Sequence, residues 1–363
     1  MTNKIEQKID GNENFQQSVE TQNITIISQG VSKEEVREIS AEMSRKVSNE
    51  YFQLSQDLAN KRMDSFENTI VERLSNLENG LNSFKNPDFV LSYRKAQIQA
   101  ATTDDNEAYK MLTELLIHRH NNSNDGYKKT GIDGAIDIVN QLTDGSLTAL
   151  SILACIELSI LPVDNRLDNG LSVLNDCFAS ILKNGLPANN DWLDQLDILK
   201  AVRINPISSF KKFDEIMCDR MSGYSTAGIK KESDEYNKAT EIQNKYHMNI
   251  LVDNPLNHEF VIIPMFNRNQ LKNFTKNVMG ISVPLNESDI KCCEELLNLY
   301  SKDKKEITNV KKILMDKIDS YSSFKIIHNW WDKIPKACRL TIIGRVLGHA
   351  NAKKCYSGFP DLD

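Results

Sequence analysis

The sequence predicts a mainly α protein, in which a long, coiled-coil-like N-terminal helix precedes a globular helical body that contains a small β-hairpin. Two observations lead to this fold class. Apolar residues recur every three or four positions throughout residues 32–86, which is the period of one helix face. Between residues 88 and 363, shorter segments with this period alternate with Gly, Pro and Asn breakers. We therefore divide the chain into a lead (1–31), a long helix (32–86) and a body (88–363).

The long helix has a recognisable start and end. Ser32 and Glu35 have the spacing of a capping box, and Pro87 cannot continue a helix. The apolar series covers 48 residues in 13 steps, about 3.7 residues per step, with Arg62 filling its one gap. This value is close to the period of a straight helix. The residues that we assign to an oligomerisation face are Val36, Ile39, Met43, Val47, Leu54, Leu58, Phe66, Ile70, Leu74, Leu77 and Leu81.

A single helix of this length cannot bury an apolar stripe by itself. The stripe must pack on copies of the same chain, on the body of its own chain or on a different protein. We expect self-association, which makes a second copy of the chain the first predicted partner.

The lead, residues 1–31, is polar and differs from the rest of the chain. Its second half alternates polar and β-branched residues, which is typical of a strand. The strand-forming residues that we predict are Gln17, Val19, Gln22, Ile24 and Ile26. The lead is either a flexible tail or a short β-forming element for assembly or docking. The second alternative is feasible because Asn and Gln side chains form rows of hydrogen bonds when identical strands stack.

The body is predicted to be an array of helices with short loops, which favours antiparallel neighbours in a bundle. The predicted helices are 88–101, 104–120, 130–142, 145–161, 168–184, 189–202, 207–222, 233–247, 267–278, 286–301, 304–320, 322–334 and 338–349. Two β-branched runs, 249–252 and 260–263, flank an Asp-Asn-Pro turn signal and predict a small strand pair near 248–265.

The sequence indicates a cytoplasmic protein without membrane association. No apolar segment interrupts the polar residues 1–22, so no signal peptide is predicted. The most apolar run, 147–161, contains Glu157 and is shorter than the roughly 20 apolar residues of a membrane helix. The seven cysteines lack CxxC spacing, which indicates reduced thiols.

The charge balance allows nucleic acid as a partner but does not favour it. The chain has 44 basic and 50 acidic residues, a net charge of -6. Its densest basic stretch, from Lys302 to Lys312, is interrupted by Asp303 and Glu306. This pattern is typical of a solvated helix face.

Two histidine motifs resemble parts of catalytic or metal sites. His118 and His120 have HxH spacing, but on one helix their side chains lie about 200° apart and cannot share a metal. His328 precedes Trp330 and Trp331, which predicts either an aromatic pocket or a core helix with a polar edge.

Asp191, Asp194 and Asp197 precede Lys200, a combination found in metal-dependent nucleases. On a helix, side chains three residues apart point in directions that differ by about 60°. These carboxylates are therefore expected to be spread over the helix surface and not to converge. The chain lacks the GxxxxGK[ST], GxGxxG, GxSxG and HExxH motifs. The sequence therefore predicts no catalytic, cofactor-binding or metal-binding residue, and it favours a protein that is not an enzyme.

Three segments together carry a family resemblance. They are the polar lead 11–30 with the helix start at 31–36, the segment Gly131-Ile-Asp-Gly-Ala-Ile-Asp-Ile-Val139, and the segment from Leu340 to Gly348. They are similar to an uncharacterised family of bacterial helical proteins that resembles abortive-infection and phage-defence proteins, some of which open with a polar lead thought to mediate assembly or signalling.

The resemblance implies a context of antiviral defence and transfers no catalytic residue. It makes another defence protein or a phage product an expected partner of a self-associating chain. The alternative is a toxic effector enzyme, such as a nuclease, with an active site in the body. Convergent carboxylates or histidines in a pocket near Trp330 and Trp331 would support this alternative.

Overall fold

The computed structural model describes residues 32–157, 166–278 and 281–361, and within these ranges the protein is mainly helical, as predicted. The residues of the lead for which the sequence predicts a strand, from Gln17 to Ile26, lie outside the described residues.

The first described helix, α1 (Lys33–Ser75), begins at the capping box. The backbone N–H of Ser32 donates to Glu35 Oε2 at 2.8 Å, and the backbone N–H of Glu35 donates to Ser32 Oγ at 3.2 Å. Two unpaired N–H groups of the first turn are satisfied in this way. The chain divides within α1 into two compact units, Met1–Asp64 and Ser65–Asp363.

Helix α1 ends earlier than the sequence predicted. A 3-10 turn, Gly80–Lys85, follows it, so the predicted continuation of the helix to residue 86 is wrong. Asn79 has a left-handed backbone, with φ of 57°. A Cβ atom on Gly80 would lie 2.1 Å from the carbonyl oxygen of Leu74. The Asn79-Gly80 pair is a turn signal that the apolar period concealed.

The other α-helices of the described residues form the body. They are α2 (Pro87–Ala101), α3 (Asn106–Asn121), α4 (Gly126–Ile138), α5 (Asp144–Glu157), α6 (Leu167–Ile181), α7 (Asp191–Ile198), α8 (Phe213–Arg220), α9 (Asp234–Tyr246), α10 (Glu287–Asn298), α11 (Lys304–Asp319), α12 (Ser322–Trp331) and α13 (Ile342–Cys355). Polar caps start several of them: Asp105 accepts the N–H of Glu107 at 2.9 Å, and Ser233 accepts that of Tyr236 at 3.2 Å.

The strands of the described residues are short and antiparallel. They are β1 (Val202–Ile204), β2 (Ile229–Lys230), β3 (Val252–Asp253), β4 (Phe260–Ile262), β5 (Thr275–Val278), β6 (Ile281–Pro284) and β7 (Cys338–Leu340). Strand β1 pairs with β7, β5 pairs with β6, and the third sheet has the order β2-β4-β3. The predicted strand pair is confirmed by β3 and β4, where Val252 lies opposite Ile262. Strand β2, on the other edge of β4, was not predicted.

The predicted helix 207–222 begins six residues late, at Phe213. Two other predicted helices contain strands and are wrong in part. Residues 267–278 form a 3-10 turn, Arg268–Asn273, and then strand β5. The predicted helix 338–349 begins with strand β7, after which Thr341 caps α13 by accepting the N–H of Gly344 at 3.2 Å. These segments obtain their backbone hydrogen bonds from a strand partner, which a local apolar pattern does not reveal.

The core of the body is organised around α13. Every residue from Val346 to Ala352 is buried, and the helix packs against α3, α4, α5 and α6. Glycines make this close approach feasible. A Cβ atom on Gly344 would lie 2.0 Å from the carbonyl oxygen of Ala201, and one on Gly348 would lie 2.6 Å from that of Leu150.

The last turns of α1 belong to the same core. Phe66, Ile70 and Leu74 are fully buried. The ring of Phe66 lies 6.2 Å from the rings of both Tyr93 on α2 and Tyr109 on α3. Aromatic contacts of this kind add to the burial of apolar area, so this part of α1 is held by its own chain.

The substitution Gly348→Ala is expected to lower the free energy of unfolding by about 1–3 kcal/mol, because the added methyl group would overlap the Leu150 backbone and push α13 away from α5. Urea denaturation followed by circular dichroism measures this change. The matched control is Gly126→Ala at the start of α4, where a Cβ atom meets nothing within 4 Å. Equal losses in the two variants would contradict the close packing of α13.

Candidate functional site

The predicted oligomerisation residues fall into two groups. In the unit Met1–Asp64, the large apolar side chains of α1 are exposed, with exposed fractions between 43% and 68%. The predicted residues among them are Val36, Met43, Val47, Leu54 and Leu58, with Ile39 partly exposed. Tyr51 and Phe52, which do not belong to the predicted set, are exposed as well. Phe66, Ile70 and Leu74 lie instead in the core of the body, where Leu77 packs against them, while Leu81 is exposed. The first group is therefore accessible to another chain, and the buried residues are not.

His118 and His120 contact different neighbours, as predicted from their angular separation. The ring of His118 lies 4.9 Å from the ring of His349 on α13. His120 Nδ1 lies 2.6 Å from Ser83 Oγ. The HxH spacing does not bring the two imidazoles to one site.

The aspartates of α7 have separate local roles. Asp191 Oδ2 accepts a hydrogen bond from Asn189 Nδ2 at 2.6 Å. Asp197 Oδ1 accepts one from the backbone N–H of Ile204 at 3.3 Å. These carboxylates hold the turns on either side of α7 and do not converge.

Trp330 and Trp331 lie in different grooves. Trp330 packs against Trp192, with ring centroids 5.4 Å apart, in a groove of about 390 Å³. Trp331 lines a second cavity of about 390 Å³. His328 lines neither of them; its Nδ1 lies 2.9 Å from Asp319 Oδ1. The aromatic pocket with a histidine, one of the two predicted arrangements, does not form around His328.

The cavity beside Trp331 is the candidate site, and we call it the Trp331 cleft. Its apolar walls include Ile156 of α5, Ile216 of α8 and Leu340 of β7, and Phe210 adds a second aromatic ring. The rings of Phe210 and Trp331 lie 4.9 Å apart. Its volume falls in the range of about 300–1,000 Å³ that small-molecule sites occupy.

Hydrogen bonds to backbone carbonyl groups hold the segment that contains Phe210 in place. Trp331 Nε1 donates to the carbonyl oxygen of Lys211 at 3.0 Å, and the backbone N–H of Ala337 donates to the carbonyl oxygen of Ser208 at 2.9 Å. The segment before α8 is thereby tied to α12 and to the start of β7. The cleft is a preformed feature of the body.

The carboxylates that line the cleft are already paired with cations. Asp219 Oδ2 lies 2.8 Å from Lys211 Nζ, and Glu157 Oε1 lies 2.6 Å from Arg345 NH2. Arg220 donates to the carbonyl oxygen of Glu157 at 3.1 Å. This arrangement does not provide the free, convergent carboxylates expected of a metal-dependent nuclease.

Two arginines near the cleft have no such partner. Arg339 of β7 lines the cleft, and Arg203 of β1 lies directly opposite it across the ladder. Directly opposed residues in an antiparallel pair present their side chains on the same face of the sheet. Among the residues that the structure describes, neither guanidinium makes a hydrogen bond or an ion pair. Arg339 therefore brings a positive charge to the cleft edge, and Arg203, which does not line the cavity, places a second one beside it on the exposed face of the ladder.

Cys338 also lines the cleft, but it is not an activated nucleophile. Burial raises the pKa of its thiol to about 12, with Glu157 and Asp197 adding to the effect. The thiolate, which is the reactive form, is therefore not populated near neutral pH. All seven cysteines are free thiols, in agreement with the prediction from their spacing.

A second polar group is buried between α3 and α13. Burial lowers the pKa of His118 to about 3, with a further contribution from the nearby His349. Burial also raises the pKa of Glu114, against the opposing effect of Arg73, whose NH2 lies 2.5 Å from Glu114 Oε1. His118 is therefore neutral near pH 7.

The segment after α13 covers this group. His349 Nε2 lies 2.9 Å from the carbonyl oxygen of Pro360, and Lys353 Nζ donates to the carbonyl oxygen of Phe359 at 2.5 Å. Lys353 also lies 3.0 Å from Asp361 Oδ1. The histidines are thus enclosed by the chain, and we assign them a structural role.

Candidate membrane-spanning helices and metal-binding groups of side chains are both absent from the described residues. No helix among them combines the length and apolarity needed to cross a membrane. Within the same ranges, no group of three or more His, Cys, Asp and Glu side chains is arranged to hold a metal ion.

The fold and the cleft define a mainly α protein with a preformed, positively edged cavity in its body. A protein-family model described as ":-like" matches residues 30–363, so the chain belongs to that family. The family description names no activity. No curated protein and no solved structure matches the chain.

Of the residues that line the Trp331 cleft, the sequence pointed to Trp331 but not to Phe210, Arg339 or the strands beside it. The one local signal is that Arg203 and Arg339 each lie between two apolar residues, in Val-Arg-Ile and Cys-Arg-Leu. This alternation is typical of a strand, but three residues are too few to identify a strand. Nothing in the sequence shows that these two strands pair.

The neutral, buried His118 predicts a specific pH dependence of stability. Its pKa is about 6.5 when unfolded and about 3 when folded, so its contribution is fully present above pH 6.5 and is lost as the pH falls towards 3. By pH 4 the loss is about 3 kcal/mol. We expect His118→Gln to remove this component, which urea denaturation at pH 7 and pH 4 measures.

The control for this measurement is His258→Gln, because His258 is exposed. Its stability should depend on pH as that of the unsubstituted protein does. An unchanged pH dependence in His118→Gln would show that His118 does not drive the acid sensitivity.

Proposed function

We propose that this protein acts by self-association through the exposed apolar side chains of α1, and that its body recognises a partner. The observation that supports the proposal is the row of large apolar side chains from Val36 to Leu58, exposed on a helix whose later residues are buried. Contiguous exposed apolar surface marks interaction sites in soluble proteins. Burying one such side chain contributes about 1.5–3 kcal/mol.

The charges beside this row favour a second copy as the occupant. At 100° per residue, one flank of the row carries mostly acidic residues and the other carries basic residues and serines. The acidic flank contains Glu35, Glu42, Glu50 and Asp57, interspersed with Lys46 and Lys61. The other flank contains Lys33, Arg37, Ser44, Ser48 and Ser55. In a parallel pair of identical helices, the acidic flank of each chain faces the other flank of its partner.

The biological context that we propose is bacterial antiviral defence in the cytoplasm. Its support is the resemblance of the lead, the Gly131–Val139 segment and the Leu340–Gly348 segment to proteins of that context. Another defence protein or a phage product is the partner that the body would recognise. The lead would add strand-like docking to the contact made by α1.

The double substitution Met43→Glu and Leu54→Glu is expected to convert the full-length protein from a defined oligomer to a monomer. Each change places a charge in the centre of the apolar contact, where its desolvation is costly. Light scattering coupled to size exclusion measures the mass. Circular dichroism verifies that the body is still folded, which we expect because both residues are exposed.

The matched control is Phe52→Glu. Phe52 is 61% exposed and Leu54 is 64% exposed, but Phe52 lies about 160° around the helix from Leu54. This variant should retain the mass of the unsubstituted protein. A monomeric unsubstituted protein, or an oligomer that the double substitution leaves intact, would contradict the proposal.

A further inference from the structure

Arg203 and Arg339 place two like charges opposite each other on the exposed face of the ladder formed by β1 and β7. Like charges directly opposite each other in an antiparallel ladder destabilise it. Within the described part of the chain, neither arginine forms an ion pair: Asp219 is paired with Lys211, Glu157 with Arg345, and Asp197 accepts the backbone N–H of Ile204. An anion between the two guanidinium groups would remove this cost.

The chemistry of the pair indicates a phosphate group. Each guanidinium offers up to five N–H donors in a planar fork that matches two oxygens of a phosphate or carboxylate. Two forks on one face of a ribbon can address the several oxygens of one phosphate, which a single lysine cannot do. The chain as a whole has a net charge of -6, so its overall field does not attract anions. The attraction is local to this edge of the cleft.

The interior of the cleft beside Arg339 suits a planar ring. Phe210 is partly exposed there and rests on Trp331. An aromatic face of this kind stacks with a nucleobase, a contact worth roughly 1–3 kcal/mol per base. Asn267 and Asn269 line the same cavity. Asn267 Oδ1 already accepts from Ser222 Oγ and from the backbone N–H of Asn269, so the Asn267 Nδ2 group and the Asn269 amide are what this wall offers to the edge of a heterocycle.

From these observations we infer that the Trp331 cleft binds a nucleotide, with Arg203 and Arg339 on its phosphate and Phe210 against its base. The volume of about 390 Å³ suits a ligand of this size. The binding is separate from self-association, since the cleft belongs to the unit Ser65–Asp363 and the exposed apolar side chains of α1 belong to the unit Met1–Asp64.

Isothermal titration calorimetry of the full-length protein tests this inference. The probes are the four ribonucleoside monophosphates, the matching nucleosides and inorganic phosphate. We expect at least one monophosphate to bind more than tenfold tighter than its nucleoside and more than tenfold tighter than phosphate, because both halves of the ligand contribute. Affinity should fall as salt rises, since salt screens the phosphate contact.

Substitutions locate the site. Arg339→Gln and Arg203→Gln should each weaken monophosphate binding about tenfold or more, since each removes charge-assisted hydrogen bonds. The matched control is Arg94→Gln, because Arg94 is an exposed arginine of α2 that does not line the cleft. It should leave the affinity unchanged. Phe210→Ala should weaken the monophosphate and leave the weak binding of phosphate alone unaffected.

Arg203→Glu separates loss of binding from loss of folding. The new carboxylate lies opposite Arg339 and forms a cross-strand ion pair in place of a repulsion. We expect the thermal midpoint to be equal or higher and nucleotide binding to be lost.

Three outcomes would overturn the inference. One is the absence of binding by all four monophosphates at millimolar concentration. The second is a monophosphate affinity equal to that of inorganic phosphate, which would leave the aromatic wall without a role. The third is binding that the Arg203 and Arg339 substitutions do not change, which would place the ligand elsewhere.

Discussion

The structure of the body depends on the close contact between α13 and the elements around it. Gly344 lies against the Ala201 carbonyl, and Gly348 lies against α5, at distances that no side chain could occupy. Thr341, at the start of α13, donates its hydroxyl to the carbonyl oxygen of Lys200 at 2.6 Å. These contacts place β7 beside β1. The glycines of one helix thus determine where the edge of the Trp331 cleft lies, although none of them lines it.

The same packing explains the electrostatics of the cleft. The ladder of β1 and β7 sets Arg203 opposite Arg339, and a ladder this short cannot separate two like charges by shifting its register without losing its hydrogen bonds. The two carboxylates that line the cleft are engaged in ion pairs of their own. The ladder of β1 and β7 therefore presents two like charges on one exposed face.

Helix α1 has both exposed and buried apolar residues because its apolar series changes direction. From Leu58 onward the steps are all of four residues until Leu74, and each such step turns the series by about 40° around the helix. The later residues enter the core through Phe66, whose ring meets Tyr93 and Tyr109. The earlier ones are left exposed. One continuous sequence pattern therefore contains a row that is exposed and a row that packs in the core.

The sequence by itself determined the helical class, the capping box at Ser32, most helices of the body and the hairpin of β3 and β4, because these depend on local period, caps and turn residues. Tertiary structure alone decided strands β1 and β7 and the cleft, whereas the early end of α1 has a local turn signal in Asn79 and Gly80. Ala201 and Thr341 are 140 residues apart and meet through a hydrogen bond between them. A strand of three residues is too short to show a recognisable apolar pattern in the sequence. Whether an arginine has a partner is known only when the positions of all its neighbours are known. The helices are thus local in origin, and the site is a product of packing.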